Sequence, residues 1–93
     1  MTESQRRRNI FAEALRDELA QLWRAGVRHV ERSRIEEIGQ RVGLDRDETY
    51  EAFGAARGDI WRGDFIESDE GPGWEAVILK DVPASGPPDD VGL

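Results

Sequence analysis

The chain contains no cysteine and a single histidine among its 93 residues. The absence of cysteine excludes a disulfide framework and any thiolate-ligated metal site. His29 has no second imidazole with which to share a metal ion, so we interpret it as a partly exposed strand or loop residue and expect no metal or other cofactor. The sequence also lacks a nucleophile–base set and a phosphate-cradling glycine loop, which argues against an enzyme.

Long apolar runs are also missing. No stretch approaches the roughly 18 apolar residues that a membrane span requires. The polar, arginine-bearing N-terminus is unlike a signal peptide. We therefore expect a cytoplasmic protein with no membrane partner.

Proline is scarce before residue 83, and three of the four prolines lie in the last segment, PASGPPDDVGL. That segment has no apolar periodicity and carries two acids. We predict one folded domain over residues 1–82 and a flexible acidic tail over residues 83–93.

Lysine is nearly absent, and acidic residues outnumber basic ones by 20 to 13, for a net charge of −7. Residues 1–34 carry eight arginines against five acids, whereas residues 35–60 carry three against seven. Residues 61–93 hold Arg62 and Lys80 against eight acids. Only the first third of the chain is expected to attract a polyanion.

A long helix is predicted near the N-terminus, from about Ser4 to Ala25. Its apolar stripe recurs in steps of three and four residues at Phe11, Leu15 and Leu19. The short segment that follows, residues 27–32, has Val27 and Val30 as its apolar residues. Because the helix is long for so small a domain, one end could pack against a second copy, which would give a homodimer through this helix.

Residues 33–53, SRIEEIGQRVGLDRDETYEAF, predict two helices joined by a tight glycine turn. Ser33 with Glu36, and Asp45 with Glu48, each have the spacing of a capping box. Gly43 stands where a left-handed residue ends the first helix. Two helices separated by so short a turn cross steeply, as in a helix-turn-helix.

Gly39 and Leu44 complete this pattern. Gly39 is interpreted as the small residue that lets the two helices approach closely, and Leu44 as the buried residue of the turn. The second helix is expected to turn Thr49, Ala52, Phe53 and Ala56 inward.

A β-hairpin is predicted after the second of these helices. The segments IWRGDFIE (60–67) and WEAVILK (74–80) favour strands, and SDEGPG (68–73) between them favours a turn. Gly63 is interpreted as a bulge or bend. Trp61 and Trp74 could stack across the hairpin and, with Trp23, close the small core.

This order of elements resembles the winged helix-turn-helix family, and the resemblance covers about residues 9–82. It implies an α+β fold of three helices plus a C-terminal β-hairpin wing, with a short first strand within residues 27–32 between the first two helices. Two residues depart from the family pattern: Thr49 stands where an aliphatic residue is usual, and Gly54 lies inside the helix.

The resemblance also implies contacts with double-stranded DNA, because the family inserts the exposed side of the recognition helix into the major groove. Carried over to this chain, Arg46 and Tyr50 would face the bases together with Asp45, Asp47 and Glu51. Contacts with the DNA backbone would come from Ser33, Arg34, Arg41, Arg57, Arg62 and Lys80.

The charge of the recognition helix leaves three functions open. Residues 45–59 hold five acids against Arg46 and Arg57, which disfavours a phosphate backbone. The chain could still be a small DNA-binding transcriptional regulator, above all in a molar-salt cytoplasm where screening is short-ranged. Alternatively, the winged helix could be a protein-interaction module that docks a partner through its acidic helix or apolar wing. A small enzyme or ligand sensor is the third alternative.

Overall fold

A computed structural model of the protein describes residues 2–71 and 73–83. Within them the chain forms three helices and one three-stranded antiparallel sheet, which confirms the predicted α+β class. Of the predicted tail, residues 84–93 lie outside the described residues. The elements in chain order are α1 (Glu3–Arg24), β1 (His29–Glu31), α2 (Arg32–Arg41), α3 (Arg46–Ala55), β2 (Arg62–Glu67) and β3 (Trp74–Asp81).

Helix α1 begins at a threonine cap and buries the predicted apolar stripe. The side chain of Thr2 accepts a hydrogen bond from the backbone N–H of Gln5 at 3.1 Å. Phe11, Leu15 and Leu19 are all almost completely buried. These side chains therefore contribute to the core of the same chain.

The first predicted capping box is wrong. Helix α2 begins at Arg32, so Ser33 lies inside its first turn, and the N-cap residue is Glu31, which makes no side-chain cap hydrogen bond. Glu31 also ends β1, so the strand runs straight into the helix and leaves no residue between them. The Glu36 carboxylate instead accepts a hydrogen bond from Tyr50.

The corner between α2 and α3 follows the sequence prediction. Gly43 has φ +87°, a left-handed conformation that an L side chain disfavours, and Leu44 is buried. Asp45 caps α3 by accepting from the N–H of Glu48 at 2.8 Å, and the Glu48 carboxylate accepts from the N–H of Asp45 at 3.2 Å. The second capping box is therefore confirmed.

Helices α2 and α3 touch where Gly39 faces Thr49. A Cβ atom added to Gly39 would lie 2.0 Å from Thr49 Oγ1, so only glycine fits there. Thr49 is buried, and its hydroxyl donates to the backbone oxygen of Asp45 at 2.7 Å, which satisfies the polar atom within the helix. The role predicted for Gly39 is confirmed.

The sheet has the strand order β1-β3-β2, with β3 paired antiparallel to both neighbours. The register between β2 and β3 shifts at Arg62/Gly63 and again at Ile66/Glu67. A Cβ atom on Gly63 would lie 2.0 Å from the backbone oxygen of Ile78. The bulge predicted at Gly63 is therefore present, and close backbone approach requires glycine there.

The two tryptophans of the hairpin region stack on α3 rather than on each other. Phe53 stacks on Trp61 with ring centroids 4.6 Å apart and on Trp74 at 5.5 Å. The indole N–H of Trp61 donates to the backbone oxygen of Phe53 at 3.1 Å. Trp23 lies half-buried beside the core with the Arg28 guanidinium 3.5 Å from its ring centre. Trp61 and Trp74 thus fix α3 against the sheet.

Candidate functional site

The residues predicted to contact DNA are spread over α2, α3 and the hairpin, and they do not form one group. Four of them form two clusters, each around one carboxylate: Arg46 and Tyr50 contact Glu36, whereas Arg57 and Lys80 contact Asp64. The structure thus brings these four side chains together in pairs, each pair around a negative charge.

Glu36 on α2 is the centre of the first cluster. Its carboxylate accepts a hydrogen bond from the Tyr50 hydroxyl and lies 3.5 Å from Arg32 Nε and 3.9 Å from Arg46 Nε. Burial, followed by the hydrogen bond to Glu36, raises the pKa of Tyr50 above its ordinary value of 10.0. Arg32 also donates to the backbone oxygen of Trp74 at 3.1 Å, so the cluster ties α2 and α3 to the start of β3.

Asp64 on β2 is the centre of the second cluster. Its two carboxylate oxygens lie 2.8 Å from Lys80 Nζ and 3.8 Å from Arg57 Nη2. The hydrogen bond and the charge of Lys80 hold the pKa of Asp64 below its usual value. Arg57 in addition donates to the backbone oxygen of Gly63 at 2.6 Å. Both cations are therefore occupied on the hairpin itself.

Two further predicted arginines also pair with carboxylates. Arg34 Nη1 lies 2.7 Å from the Glu18 carboxylate of α1, and Arg62 Nη1 lies 3.7 Å from that of Asp81 on β3. These pairs join neighbouring elements on the protein surface. A phosphate group would have to compete with a bound carboxylate at each of them.

Ser33 and Arg41 are the remaining predicted contacts. Both are on the surface of α2, Ser33 in the first turn and Arg41 in the last. Within residues 2–71 and 73–83, Arg41 has no carboxylate within ion-pair distance. Its charge is available to a ligand.

Sequence reasoning missed the contact between the N-terminal arginines and α3. Arg8 Nη2 lies 2.8 Å from the Glu51 carboxylate, and the Ser4 hydroxyl donates to Glu48 at 3.4 Å. The partners are separated by 43 and 44 residues, so no local pattern indicates the pairing. The start of α1 therefore neutralises part of the acidic charge of α3.

The exposed charges of α3 and the hairpin turn are nevertheless mostly negative. On the N-terminal half of α3 and its cap, Arg46 is the one exposed cation. The exposed acids of these two regions are Asp45, Asp47, Glu51, Glu67, Asp69 and Glu70. In the winged-helix resemblance these are the two elements that would face DNA.

The described residues offer little chemistry of other kinds. A groove of about 310 Å³ between α1 and the end of α3 is lined by apolar side chains such as Ala12, Ala55 and Ile60 and by the polar side chains of Gln5, Arg8 and Asp59. No cluster of three His, Asp or Glu residues in the described part of the chain could hold a metal ion. Over the same residues, no helix has both the length and the apolar character needed to cross a bilayer.

Comparison with known proteins adds no assignment: no family model matches the chain, and neither a curated protein nor a solved structure is significantly similar to it. The functional argument therefore depends on the surface just described.

Proposed function

We propose that this chain is a winged helix-turn-helix module that acts in the cytoplasm by docking a basic protein partner through the exposed side of α3, without catalysis. The order α1-β1-α2-α3-β2-β3 and the hairpin that follows α3 support the winged-helix part of the proposal. The glycine corner between α2 and α3 supports it further.

The observation that carries the choice of partner is the pairing of the predicted DNA-binding side chains. Six of the eight have their charge or hydroxyl group directed to a carboxylate of the same chain: Arg34, Arg46, Tyr50, Arg57, Arg62 and Lys80. Exposed ion pairs are individually weak, about 0–1 kcal/mol, so they do not lock the arginines. They do bring a carboxylate next to each of these six side chains.

The excess of acids on α3 and the hairpin turn favours a positively charged partner. Asp47 lies on the exposed side of α3, Asp69 and Glu70 lie in the turn, and none of the three has an ion-pair partner in the described part of the chain. Charges of one sign on adjacent surfaces steer an oppositely charged protein toward the site and exclude a polyanion.

Binding of double-stranded DNA is a second candidate function, supported by two arginines. Arg41 has no ion-pair partner in the described part of the chain, and the Arg46 side chain is 75% exposed with Glu36 only at 3.9 Å. Both lie close to the corner of the helix pair, where a winged helix meets the phosphate backbone.

Fluorescence anisotropy with labelled duplex DNA of mixed sequence distinguishes the two functions. We expect no binding at about 50 mM salt, where phosphate contacts are strongest, or at about 1 M salt. DNA binding would replace protein docking as the function if the duplex binds with an affinity that falls steeply with salt. Arg46→Ala or Arg41→Ala should then reduce this binding, whereas Arg16→Ala on α1 should leave it unchanged.

Protein docking is tested with the immobilised chain and charge-reversed variants. We expect a basic protein from the host extract to be retained by the wild type, lost from Asp47→Lys and kept by Glu13→Lys. The control makes the same charge change on the exposed surface of α1. Equal retention by both variants would contradict docking through α3.

A further inference from the structure

Strand β2 leaves one of its edges unpaired in the described part of the chain. In the order β1-β3-β2 it is bonded to β3 alone, and most of its side chains are exposed. The other outer strand, β1, is only three residues long. An open edge presents backbone N–H and C=O groups that can pair with another strand.

Hydrogen bonds of β3 show which backbone groups of β2 are free. The N–H of Leu79 donates to the backbone oxygen of Arg28 at 2.7 Å, on the side of β1. The N–H and C=O groups of successive residues point to opposite sides of a strand, so those of Val77, two residues before Leu79, also point toward β1. Val77 is the register partner of Phe65. The N–H and C=O of Phe65 therefore point away from β3, into the open edge.

Arg57 gives independent evidence for the same direction. Its guanidinium donates to the backbone oxygen of Gly63 at 2.6 Å, and this oxygen must therefore be accessible on the outer side of β2. Gly63 and Phe65 are two residues apart, so their backbone groups point the same way. Arg57 covers the edge at Gly63, and its guanidinium carbon lies 5.5 Å from the ring centre of Phe65, a residue that is 37% exposed.

The charges along this edge are self-complementary. The Arg57 guanidinium lies beside Gly63 near the start of β2, 3.8 Å from the Asp64 carboxylate, whereas Glu67 ends the strand and forms no ion pair in the described part of the chain. If two β2 strands pair antiparallel with Phe65 opposite Phe65, Glu67 of each copy comes opposite Gly63 of the other. Because Arg57 already donates to the Gly63 carbonyl, Glu67 meets this guanidinium through its side chain and not through a backbone hydrogen bond, and the two-fold axis makes the contact twice.

We propose that two copies of this chain associate by antiparallel pairing of their β2 strands, centred on Phe65, to form one continuous six-stranded sheet. Two backbone hydrogen bonds link the Phe65 residues, and two Glu67–Arg57 ion pairs fix the register. The surface differs from α1, whose apolar stripe is buried in the core and whose large exposed apolar residue is Ile10.

Charge-swapped variants of the full chain test the pairing by sedimentation equilibrium. Glu67→Arg places a second guanidinium against Arg57 twice per dimer, so we expect self-association about tenfold weaker or more. Arg57→Glu places an acid opposite Glu67 at each of the two contacts, so we expect it to weaken self-association to a similar extent. An equimolar mixture of the two variants restores every ion pair and should recover the wild-type dissociation constant.

Controls separate pairing from folding. Glu13→Arg makes the same charge change as Glu67→Arg on α1 and should leave the dimer intact, and Ile10→Gln should do the same. Thermal melting by circular dichroism checks that each variant is folded. Arg57 has several contacts within its own chain, so Arg57→Glu alone could be destabilised. In that case the conclusion depends on the Glu67→Arg variant and on the mixing experiment.

Amide hydrogen exchange gives a second readout. The Phe65 N–H should exchange more slowly as protein concentration rises through the dimerisation range, because pairing protects it. Any of three results would overturn the proposal. The first is a wild type that stays monomeric at about 1 mM, and the second is self-association that Ile10→Gln weakens and Glu67→Arg does not. The third is a mixture of the two charge-swapped variants that fails to recover association.

Discussion

Replacing Gly39 with alanine should destabilise the domain although alanine is the better helix former. The new Cβ atom would lie 2.0 Å from Oγ1, 2.7 Å from Cγ2 and 2.9 Å from Cβ of Thr49. Rotation of the Thr49 side chain can move the first two atoms but not its Cβ, so α2 and α3 must separate. Overpacking of this kind costs up to about 3 kcal/mol, and alanine returns about 1 kcal/mol of helix propensity. We expect a net loss of about 2 kcal/mol.

Gly54→Ala is the matched control. Gly54 is also inside a helix, but a Cβ atom there meets nothing within 4 Å. Only the higher helix propensity of alanine applies, so the free energy of unfolding of this variant should rise by about 1 kcal/mol. The two variants make the same chemical change and should shift the free energy of unfolding in opposite directions.

Urea unfolding followed by tryptophan fluorescence measures both values, since Trp61 is buried and becomes exposed on unfolding. Adding Thr49→Ala to Gly39→Ala removes two of the three clashing atoms and should recover part of the loss. Equal signs for the two glycine variants, or no coupling between residues 39 and 49, would refute close helix approach as the reason for glycine.

Three further outcomes are expected. Gly63→Ala should cost at least about 2 kcal/mol in the same assay, because its Cβ would press on the backbone oxygen of Ile78 rather than on a movable side chain; a neutral effect would contradict the tight bulge. Asp45→Ala should cost about 1 kcal/mol by removing the α3 cap, and Asp45→Asn should recover most of it. In a spectrophotometric titration Tyr50 should ionise above its ordinary pKa of 10.0, and Glu36→Gln should lower that pKa. Because the pKa of Tyr50 is higher in the folded than in the unfolded chain, its contribution to the free energy of unfolding is present below about pH 10 and is lost as pH rises through the folded pKa. An unchanged titration midpoint in Glu36→Gln would contradict the role of the carboxylate.

Short-range signals in the sequence predicted the helix corner well. Gly43 adopts the left-handed conformation, and Asp45 forms its capping box, because both depend on residues within one helical turn. The Ser33 capping box had the same local pattern, yet β1 extends to Glu31 and the Glu36 carboxylate binds Tyr50 instead. A tertiary contact outweighed the local preference there.

The state of the surface arginines could not be predicted from sequence. Arg34 pairs with Glu18, sixteen residues away, and Arg8 pairs with Glu51, forty-three residues away. Such pairs depend on which helix faces meet after folding, and each contributes too little energy to leave a sequence pattern. The sequence therefore predicts DNA contacts for cations of which most have a carboxylate partner in the folded chain.

The stacking of Phe53 against two indole rings has a consequence for recognition. Helix α3 cannot roll about its own axis without separating these rings and breaking the bond from the Trp61 indole to the Phe53 carbonyl. Its outward side chains are thus presented at a fixed angle before any partner arrives. Association then spends little conformational entropy on the helix itself, and a partner must match the shape already there.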